Sequence, residues 1–140
     1  MLTRKAKYAI KALVYLAQER RMVSTRQIAE QTHIPRKFLE AILLDLKTHG
    51  IADSKQGVAG GYFLLRAADT IQLAEIYRLF DGPIALVPCV SLHFYRPCDD
   101  CVDEQHCAIR DAMRTVRDAM IQALEKITIG QIADGAVMLP

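Results

Sequence analysis

The sequence lacks any long apolar run. Its first 21 residues already include Arg4, Lys5, Lys7 and Lys11, which leave no room for the apolar core of a signal peptide or for a membrane span. We therefore expect a cytoplasmic protein that has no membrane partner. The chain has 140 residues, enough for one domain, and its apolar (51%) and charged (24%) residues occur in the proportions of a folded globular protein rather than a disordered one.

The sequence also lacks the residue patterns that enzymes use. Its four histidines are scattered along the chain, at His33, His49, His93 and His106. It contains no nucleophile motif, no phosphate-binding loop and no pair of carboxylates at a catalytic spacing. We therefore expect a protein that is not an enzyme.

Positive charge is concentrated in the first half of the chain. Residues 1–66 hold twelve Lys or Arg against five Asp or Glu, which gives a net charge of +7. Residues 67–140 carry a net charge of −5, so the overall charge of +2 hides a dipolar molecule. Because neutralising phosphates depends on local charge, the basic half predicts a polyanion-binding module, with a solvated basic face as the alternative.

Helical periodicity predicts three helices in the first fifty residues, over 3–19, over 26–32 after the N-cap hydroxyls of Ser24 and Thr25, and from Pro35 to Gly50. The apolar residues predicted on the third helix are Phe38, Leu39, Ile42, Leu43 and Leu46. Apolar and polar residues alternate on either side of a glycine-rich tip, which predicts a two-stranded hairpin over 51–66. A further short helix is predicted from Asp69 or Thr70 to Gly82.

Three helices followed by a hairpin predict a winged helix-turn-helix, in a mainly α-helical fold with a small β wing. The third helix would enter the major groove, where Arg36 or Lys37 can bond guanine and Glu40 can accept from cytosine, unless Glu40 simply pairs with Lys37 or Lys47. The candidate DNA contacts are Arg4, Lys5, Lys7, Thr25, Arg26, Arg36, Lys37, Glu40, Lys47, Lys55 and Gln56.

A heptad-spaced apolar seam predicts a long helix over 107–127 that pairs with a second copy of the chain. An ordinary core helix is the alternative interpretation. The seam residues, which we predict at the dimer interface, are Ile109, Met113, Val116, Met120, Ala123 and Ile127.

The segment 83–107 shows no periodicity and holds all four cysteines, Cys89, Cys98, Cys101 and Cys107. In a cytosolic chain, clustered thiols favour a metal site, an iron–sulfur cluster or a redox sensor over stable disulfides. Thiolates suit both zinc and iron–sulfur clusters. Only Cys98 and Cys101 form the short CxxC spacing that structural zinc sites usually show twice, which favours a cluster. Acidic residues crowd the same segment with negative charge that a bound cation would offset.

Several segments resemble the Rrf2 family of bacterial transcription regulators: LTRKAKYAIKAL, IPRKFLEAILLDLKTHGI, GVAGGYFL, and CAIRDAM followed by ITIGQI. The resemblance covers nearly the whole chain. It implies a homodimer whose long helices cross, a near-palindromic double-stranded DNA operator and, in many members, an iron–sulfur cluster that changes operator affinity. By position it also implies that Arg36, Lys37 and Glu40 lie on the recognition helix and that Lys55 and Gln56 contact DNA from the wing.

The chain departs from the cysteine pattern of the cluster-binding members. Those members place three cysteines with five residues between each, and only Cys101 and Cys107 keep this spacing, because Tyr95 stands in place of the first. Arg110 and Lys7 stand where members of the family have a further ligand. Either Cys89 or Cys98 would therefore have to substitute, and the extra cysteine makes an all-thiolate site the expectation if a cluster binds.

We expect a dimeric DNA-binding transcriptional regulator, a repressor, that senses iron–sulfur, redox or nitric oxide status. Residues 1–82 would bind DNA, 83–107 would sense, and 108–140 would form the dimerisation helix and tail. One alternative is a cofactor-free thiol switch, with a disulfide between Cys98 and Cys101. The others are a structural zinc site, an empty loop, or an adaptor that binds a protein partner.

Overall fold

A computed structural model describes residues 1–137, within which the chain forms six α-helices and one two-stranded antiparallel sheet. The helices are α1 (Arg4–Glu19), α2 (Thr25–Thr32), α3 (Arg36–Thr48), α4 (Leu73–Asp81), α5 (Ala108–Lys126) and α6 (Ile129–Ala133). The strands are β1 (Ala52–Lys55) and β2 (Gly61–Leu64), and two 3₁₀ turns occupy Ala68–Thr70 and Pro88–Val90. The three-helix and hairpin order confirms the predicted winged helix-turn-helix.

Side-chain caps define where the first helices begin and end. The Thr3 hydroxyl accepts from the Ala6 N–H, and the Ser24 hydroxyl accepts from the Gln27 N–H. Each bond satisfies a backbone donor that the first helical turn leaves free. Arg20 ends α1 in the left-handed conformation, and its N–H donates to the Leu16 carbonyl. Ser24 is thus the N-cap of α2, as predicted, whereas Thr25, the other predicted cap, is the first residue of the helix.

The core lies between α1, α3 and the elements that cover them. Leu13 and Leu16 of α1 are buried with Leu39 and Leu43 of α3 in one apolar cluster. Phe38 departs from the predicted buried face, because it is 48% exposed and packs edge-on against Tyr8 with the ring centroids 6.2 Å apart. Its ring therefore lies at the edge of the core, against Tyr8 of α1.

The hairpin is fastened to the start of α2 by a backbone bridge. In the hairpin, Ala52 pairs with Leu64 and Lys55 pairs with Gly61. The Val23 N–H donates to the Tyr62 carbonyl at 2.9 Å, and the Tyr62 N–H donates to the Val23 carbonyl at 2.8 Å. This pair of bonds adds a third short segment to the sheet edge and fixes the wing beside α2.

Gly61 is required by this bridge, and we expect Gly61→Ala to lower the free energy of unfolding by about 2–3 kcal/mol. A Cβ at this position would lie 2.3 Å from the Val23 carbonyl oxygen, so one of the two backbones must move. Urea unfolding measures the change. Gly50→Ala is the control, because a Cβ there meets nothing within 4 Å and only the left-handed conformation, at φ +70°, is strained. We expect that control to lose about 1 kcal/mol, and equal losses in the two variants would contradict the steric argument.

The fourth helix begins later than Asp69 or Thr70, the start predicted from the sequence. Ala68–Thr70 forms a separate 3₁₀ turn, and α4 follows from Leu73 to Asp81. The interruption has a backbone cause, because Ile71 adopts an extended conformation and its carbonyl accepts from the Ile129 N–H at 2.9 Å. The chain at this point pairs with the C-terminal segment instead of continuing the helix.

Helix α6 was not predicted. Its signal in the sequence was a capping box, in which the Thr128 hydroxyl accepts from the Gln131 N–H and the Gln131 side chain accepts from the Thr128 N–H. Ile129 at its start is fully buried in the main core cluster. The chain beyond α5 therefore returns to the three-helix head.

Helix α5 is the longest helix, and none of its residues is buried. It packs against α4 and the turn Pro88–Val90, and Arg78 of α4 reaches Glu125 at 3.5 Å. Across residues 1–137, no helix is both long enough and apolar enough to cross a membrane.

Candidate nucleic-acid interface and cysteine cavity

A polar cleft of about 380 Å³ lies where the N-termini of α2 and α3 meet the wing. Five of the predicted DNA contacts line it together: Thr25, Arg26, Arg36, Lys55 and Gln56. Two N-terminal helix ends and three cations around one cleft form a surface that suits a phosphate backbone.

The wing closes tightly at its tip, which brings its backbone up to this cleft. A Cβ at Gly60 would lie 2.2 Å from the Lys55 carbonyl oxygen, so only glycine allows the turn. Ser24, Ser54 and Tyr62 also line the cleft, although the sequence interpretation missed them. For Ser24, the N-cap position was the available signal, because a helix N-terminus is itself an anion site.

The two arginines of the cleft are held only by exposed ion pairs. Arg26 bonds Glu30 at 3.0 Å, and Arg36 bonds Glu40 at 3.1 Å. Pairs of this kind contribute little to stability, because water screens them, so a phosphate can replace the carboxylate at small cost. The partner of Glu40 is Arg36, whereas the sequence had offered Lys37 or Lys47.

The other predicted contacts lie outside the cleft. Lys37 and Glu40 are exposed on α3, and Arg4 and Lys7 are exposed in the first turns of α1. Two lysines are engaged within the protein. Lys5 bonds Asp45 at 2.9 Å and lies 5.7 Å from the centre of the Phe80 ring. Lys47 donates to the Ser54 hydroxyl at 2.9 Å, which ties α3 to the wing.

A second cavity, of about 350 Å³, is lined by all four cysteines. Cys89 is buried in the turn Pro88–Val90, and its Sγ lies 3.8 Å from the Sγ of Cys98. Cys107 caps α5, because its Sγ accepts from the Arg110 N–H at 3.4 Å. The cysteine cavity therefore joins the irregular segment to the first turn of the long helix.

The surroundings of Cys98 and Cys101 favour the protonated form of these two thiols. A hydrogen bond with Cys89, desolvation and nearby negative groups raise the pKa of Cys98. Desolvation, followed by repulsion from Cys107 and Glu104, raises the pKa of Cys101. Binding of a cation would have to release these protons, so loading of the cavity should weaken as the pH falls.

Polar bonds order the loop around the cavity. The Tyr95 hydroxyl donates to the Glu104 carboxylate at 2.6 Å, so the residue in place of the family's first cysteine spans the loop. His106 is exposed, and its Nδ1 lies 2.7 Å from Asp103. Arg117 of α5 donates to the Val90 carbonyl at 2.6 Å, which ties the helix to the turn that carries Cys89.

The donor set fits an iron–sulfur cluster. Two thiolates on one tetrahedral metal, with metal–sulfur bonds of about 2.3 Å, lie about 3.8 Å apart, and Cys89 and Cys98 already have this separation. Within residues 1–137, no group of three His, Cys, Asp or Glu side chains is placed to hold a metal ion. The separation of Cys89 and Cys98 suits two thiolate ligands of either zinc or an iron–sulfur cluster. The Nε of Arg110, also at the cavity, is a buried donor without a hydrogen-bond partner in the described chain, and a sulfur acceptor would satisfy it.

The Rrf2 family, described as an iron-dependent transcriptional regulator, matches residues 2–135. The chain belongs to the Rrf2 family.

Relatives within the Rrf2 family cover most of the chain. An rrf2-like HTH-type transcriptional regulator of Rhodobacter capsulatus is 42% identical over 134 residues, covering 92% of this chain and 89% of the relative. The regulator IscR of Escherichia coli is 26% identical over 140 residues, covering 99% of this chain and 83% of IscR. The structure of CymR, the global cysteine regulator of Bacillus subtilis, superposes with a TM-score of 0.79 at 26% identity, covering 96% of this chain and 97% of CymR.

Membership of the Rrf2 family makes the protein a DNA-binding transcriptional regulator, and the expectation that it is not an enzyme is confirmed. The sequence interpretation gave Arg110 no role in the cysteine loop and noted only that it stands where relatives have a further ligand. The structure places it in the lining of the cysteine cavity. Its position three residues after Cys107, on the first turn of α5, was the signal for this neighbourhood.

Proposed function

We propose that the protein is a homodimeric repressor that binds a near-palindromic operator, working on DNA in the cytoplasm. The observation that carries this proposal is the cleft, in which α2, α3 and the wing place Arg26, Arg36 and Lys55 around one polar surface that suits DNA. The proposed division is a DNA-binding head over 1–82, a sensing loop over 83–107 and a dimerisation region over 108–140, of which 138–140 lie outside the described residues.

The proposed dimer interface is the seam of α5. Ile109 is 68% exposed and Ala123 is exposed, while Met113, Val116 and Met120 are half-buried. Ile127, the last predicted seam residue, is also half-buried but follows the end of α5 in an extended conformation. A stripe of apolar side chains on a helix that buries none of its residues within one chain gains most by packing on a second copy. Two heads joined in this way would read half-sites about one helical turn, 34–36 Å, or a multiple of it apart.

We propose that Cys89, Cys98, Cys101 and Cys107 hold an iron–sulfur cluster. When bound, the cluster supplies a group whose charge and presence respond to oxidants and to iron supply. The chain's own residues transmit the change, because Cys107 caps α5 and Arg117 links α5 to the turn that carries Cys89. A rearranged loop would therefore move the start of the dimer helix and, with it, the spacing of the two heads.

A cofactor-free thiol switch is the second candidate. Here the separation of 3.8 Å favours a disulfide between Cys89 and Cys98 over the CxxC pair Cys98 and Cys101. The raised pKa values of Cys98 and Cys101 oppose it, because protonated thiols react slowly with peroxide. The proposed experiments also distinguish three other functions of this region, which are a structural zinc site, an empty loop and the binding of a partner protein.

Selection of duplexes from a randomised DNA pool tests the proposed function. We expect the enriched sequences to contain an inverted repeat, and affinity to fall steeply as salt rises, because cations of the head would displace counterions from DNA. An enriched pool without dyad symmetry would overturn the dimeric reading. Affinity for every duplex that stays flat as salt is lowered would favour the adaptor.

The double substitution Met113→Glu with Met120→Glu tests the dimer helix. We expect a monomer by light scattering, because four carboxylates would be brought together in the apolar seam, and an operator Kd raised at least about a hundredfold. Gln122→Glu, which adds one carboxylate to an exposed position outside the seam, is the control and should stay dimeric. A dimeric double variant would place the interface elsewhere.

A further inference from the structure

A cavity of about 580 Å³ lies at the root of the wing. It is bounded by the end of α1, by β2 and the segment after it, and by α6. Cavities that bind small molecules usually measure about 300–1,000 Å³ and form where several elements meet. Of the residues that line this cavity, only Lys55 is also a proposed DNA contact, and none lines the cysteine cavity. We call it the wing-root cavity.

The walls of the wing-root cavity are mainly apolar. Leu16 and Ala17 of α1, Met22, and Phe63 and Leu64 of β2 line it. Ala17 and Phe63 are only half-buried, so part of their apolar surface faces the cavity rather than the core. An apolar body placed here would remove this surface from water.

The rim of the cavity is positively charged. It carries Arg20, Arg21, Lys55 and Arg66 against Asp69 and Asp134, an excess of two positive charges.

The cations of the wing-root cavity differ in whether they form ion pairs within the chain. Arg66 is held by both oxygens of Glu75, at 2.7 and 2.8 Å, and Arg21 bonds Glu19 at 3.0 Å. Arg20 and Lys55 have no ion pair within residues 1–137, and both are exposed. Two free cations above an apolar floor suit a ligand with a single anionic group and an apolar body.

We propose that the wing-root cavity binds a small amphipathic anion, of the class of an aromatic or branched carboxylate or sulfonate. The apolar body would lie against Ala17 and Phe63, and the anionic group would reach Arg20 and Lys55. Because the walls come from both the wing and α6, an occupant would join the reading head to the C-terminal segment that follows the dimer helix. The site does not depend on the proposed function, since its test uses protein without DNA.

The test compares two fluorescent probes that share their rings. 1-Anilinonaphthalene-8-sulfonate carries a negative charge, and N-phenyl-1-naphthylamine is its neutral counterpart. We expect saturable binding of the sulfonate, tighter than that of the neutral probe by at least about threefold, the contribution of a partly exposed ion pair. Absence of saturable sulfonate binding, or equal affinity for the two probes, would overturn the proposal.

Substitutions assign the binding to the cavity. Ala17→Trp fills the space and should weaken sulfonate binding at least tenfold. Arg20→Asn should weaken it about threefold and leave the neutral probe unchanged, because Asn tolerates the left-handed conformation that Arg20 adopts at φ 54°. Lys11→Gln removes an exposed cation from α1 outside the cavity and should change nothing. Binding that is unaffected by both Ala17→Trp and Arg20→Asn would place the probe elsewhere and overturn the proposal, and an effect of Ala17→Trp alone would overturn the anionic class of the ligand.

Discussion

Replacing Arg36 and Lys55 together by Ala is expected to raise the operator Kd at least about a hundredfold, because each cation contributes about 1–3 kcal/mol to a base or phosphate contact and a dimer loses each one twice. Both side chains line the same cleft, one from α3 and one from β1. The plot of log affinity against log salt should also become shallower, by about two to four, because fewer counterions are released from DNA. Fluorescence anisotropy of a labelled operator, titrated at several salt concentrations, measures both changes.

The control for this double substitution is Lys126→Gln, which removes an exposed cation from the last turn of α5. Its operator affinity and salt dependence should match those of the unchanged protein. The two single variants separate base recognition from phosphate binding. Arg36→Ala should reduce discrimination between the operator and random DNA, whereas Lys55→Ala should weaken both to a similar degree. An undiminished salt dependence in the double variant would show that DNA binds another face.

Most of the head was predictable because local rules agree with the packing. Ser24 at the N-cap, the apolar period of α3 and the glycine-rich tip each specify one local structure, and the three helices and the hairpin follow in that order. Local rules alone do not explain why five predicted contacts meet in one cleft. The cleft needs the backbone bridge between Val23 and Tyr62, which joins residues distant in sequence and has no signature in either segment.

The elements that escaped prediction depend on contacts between distant parts of the chain. The Ile129 N–H donates to the Ile71 carbonyl, so the break before α4 and the start of α6 depend on the same backbone contact. Neither segment specifies this contact alone. Ion pairs that join side chains from distant parts of the chain could not be predicted for the same reason. Lys5 could be assigned to DNA from its charge, but its bond to Asp45 depends on how α1 crosses α3.

The cysteine loop was the least predictable part, because it has no periodicity and its pairing is set in three dimensions. The CxxC spacing drew attention to Cys98 and Cys101, yet the thiol that forms a hydrogen bond with Cys98 belongs to Cys89, nine residues earlier. Cys89 is held there because the turn Pro88–Val90 packs against α5 and is bonded by Arg117. The cysteine spacing left open whether Cys89 or Cys98 replaces the family's first cysteine. The position of Cys89 in the fold supports the hypothesis that Cys89 does.

Cys89→Ser is therefore expected to remove most of the iron and acid-labile sulfide from protein isolated without oxygen. Serine keeps the size of the side chain but replaces a soft thiolate by a hard hydroxyl, a poor ligand for iron in a cluster. The parent protein should carry iron and sulfide in equal amounts and absorb visible light. Iron and sulfide assays and visible absorption spectra of the two proteins, prepared in parallel, measure the loss.

Ser91→Ala is the matched control, because Ser91 is buried at the end of the same turn and its hydroxyl accepts from the Phe94 N–H at 3.0 Å. It disturbs the loop without removing a thiol, so it should keep its iron if Cys89 acts as a ligand rather than as a packing residue. Full iron in Cys89→Ser would exclude Cys89 from the site. Stoichiometric zinc without sulfide in the parent protein would make the site structural. A parent protein with neither metal, in which mass spectrometry detects a disulfide between Cys89 and Cys98 after peroxide treatment, would establish the thiol switch. Peroxide accepts the two electrons and, with the two thiol protons, leaves as water, while the two sulfurs that become bonded lie 3.8 Å apart before oxidation.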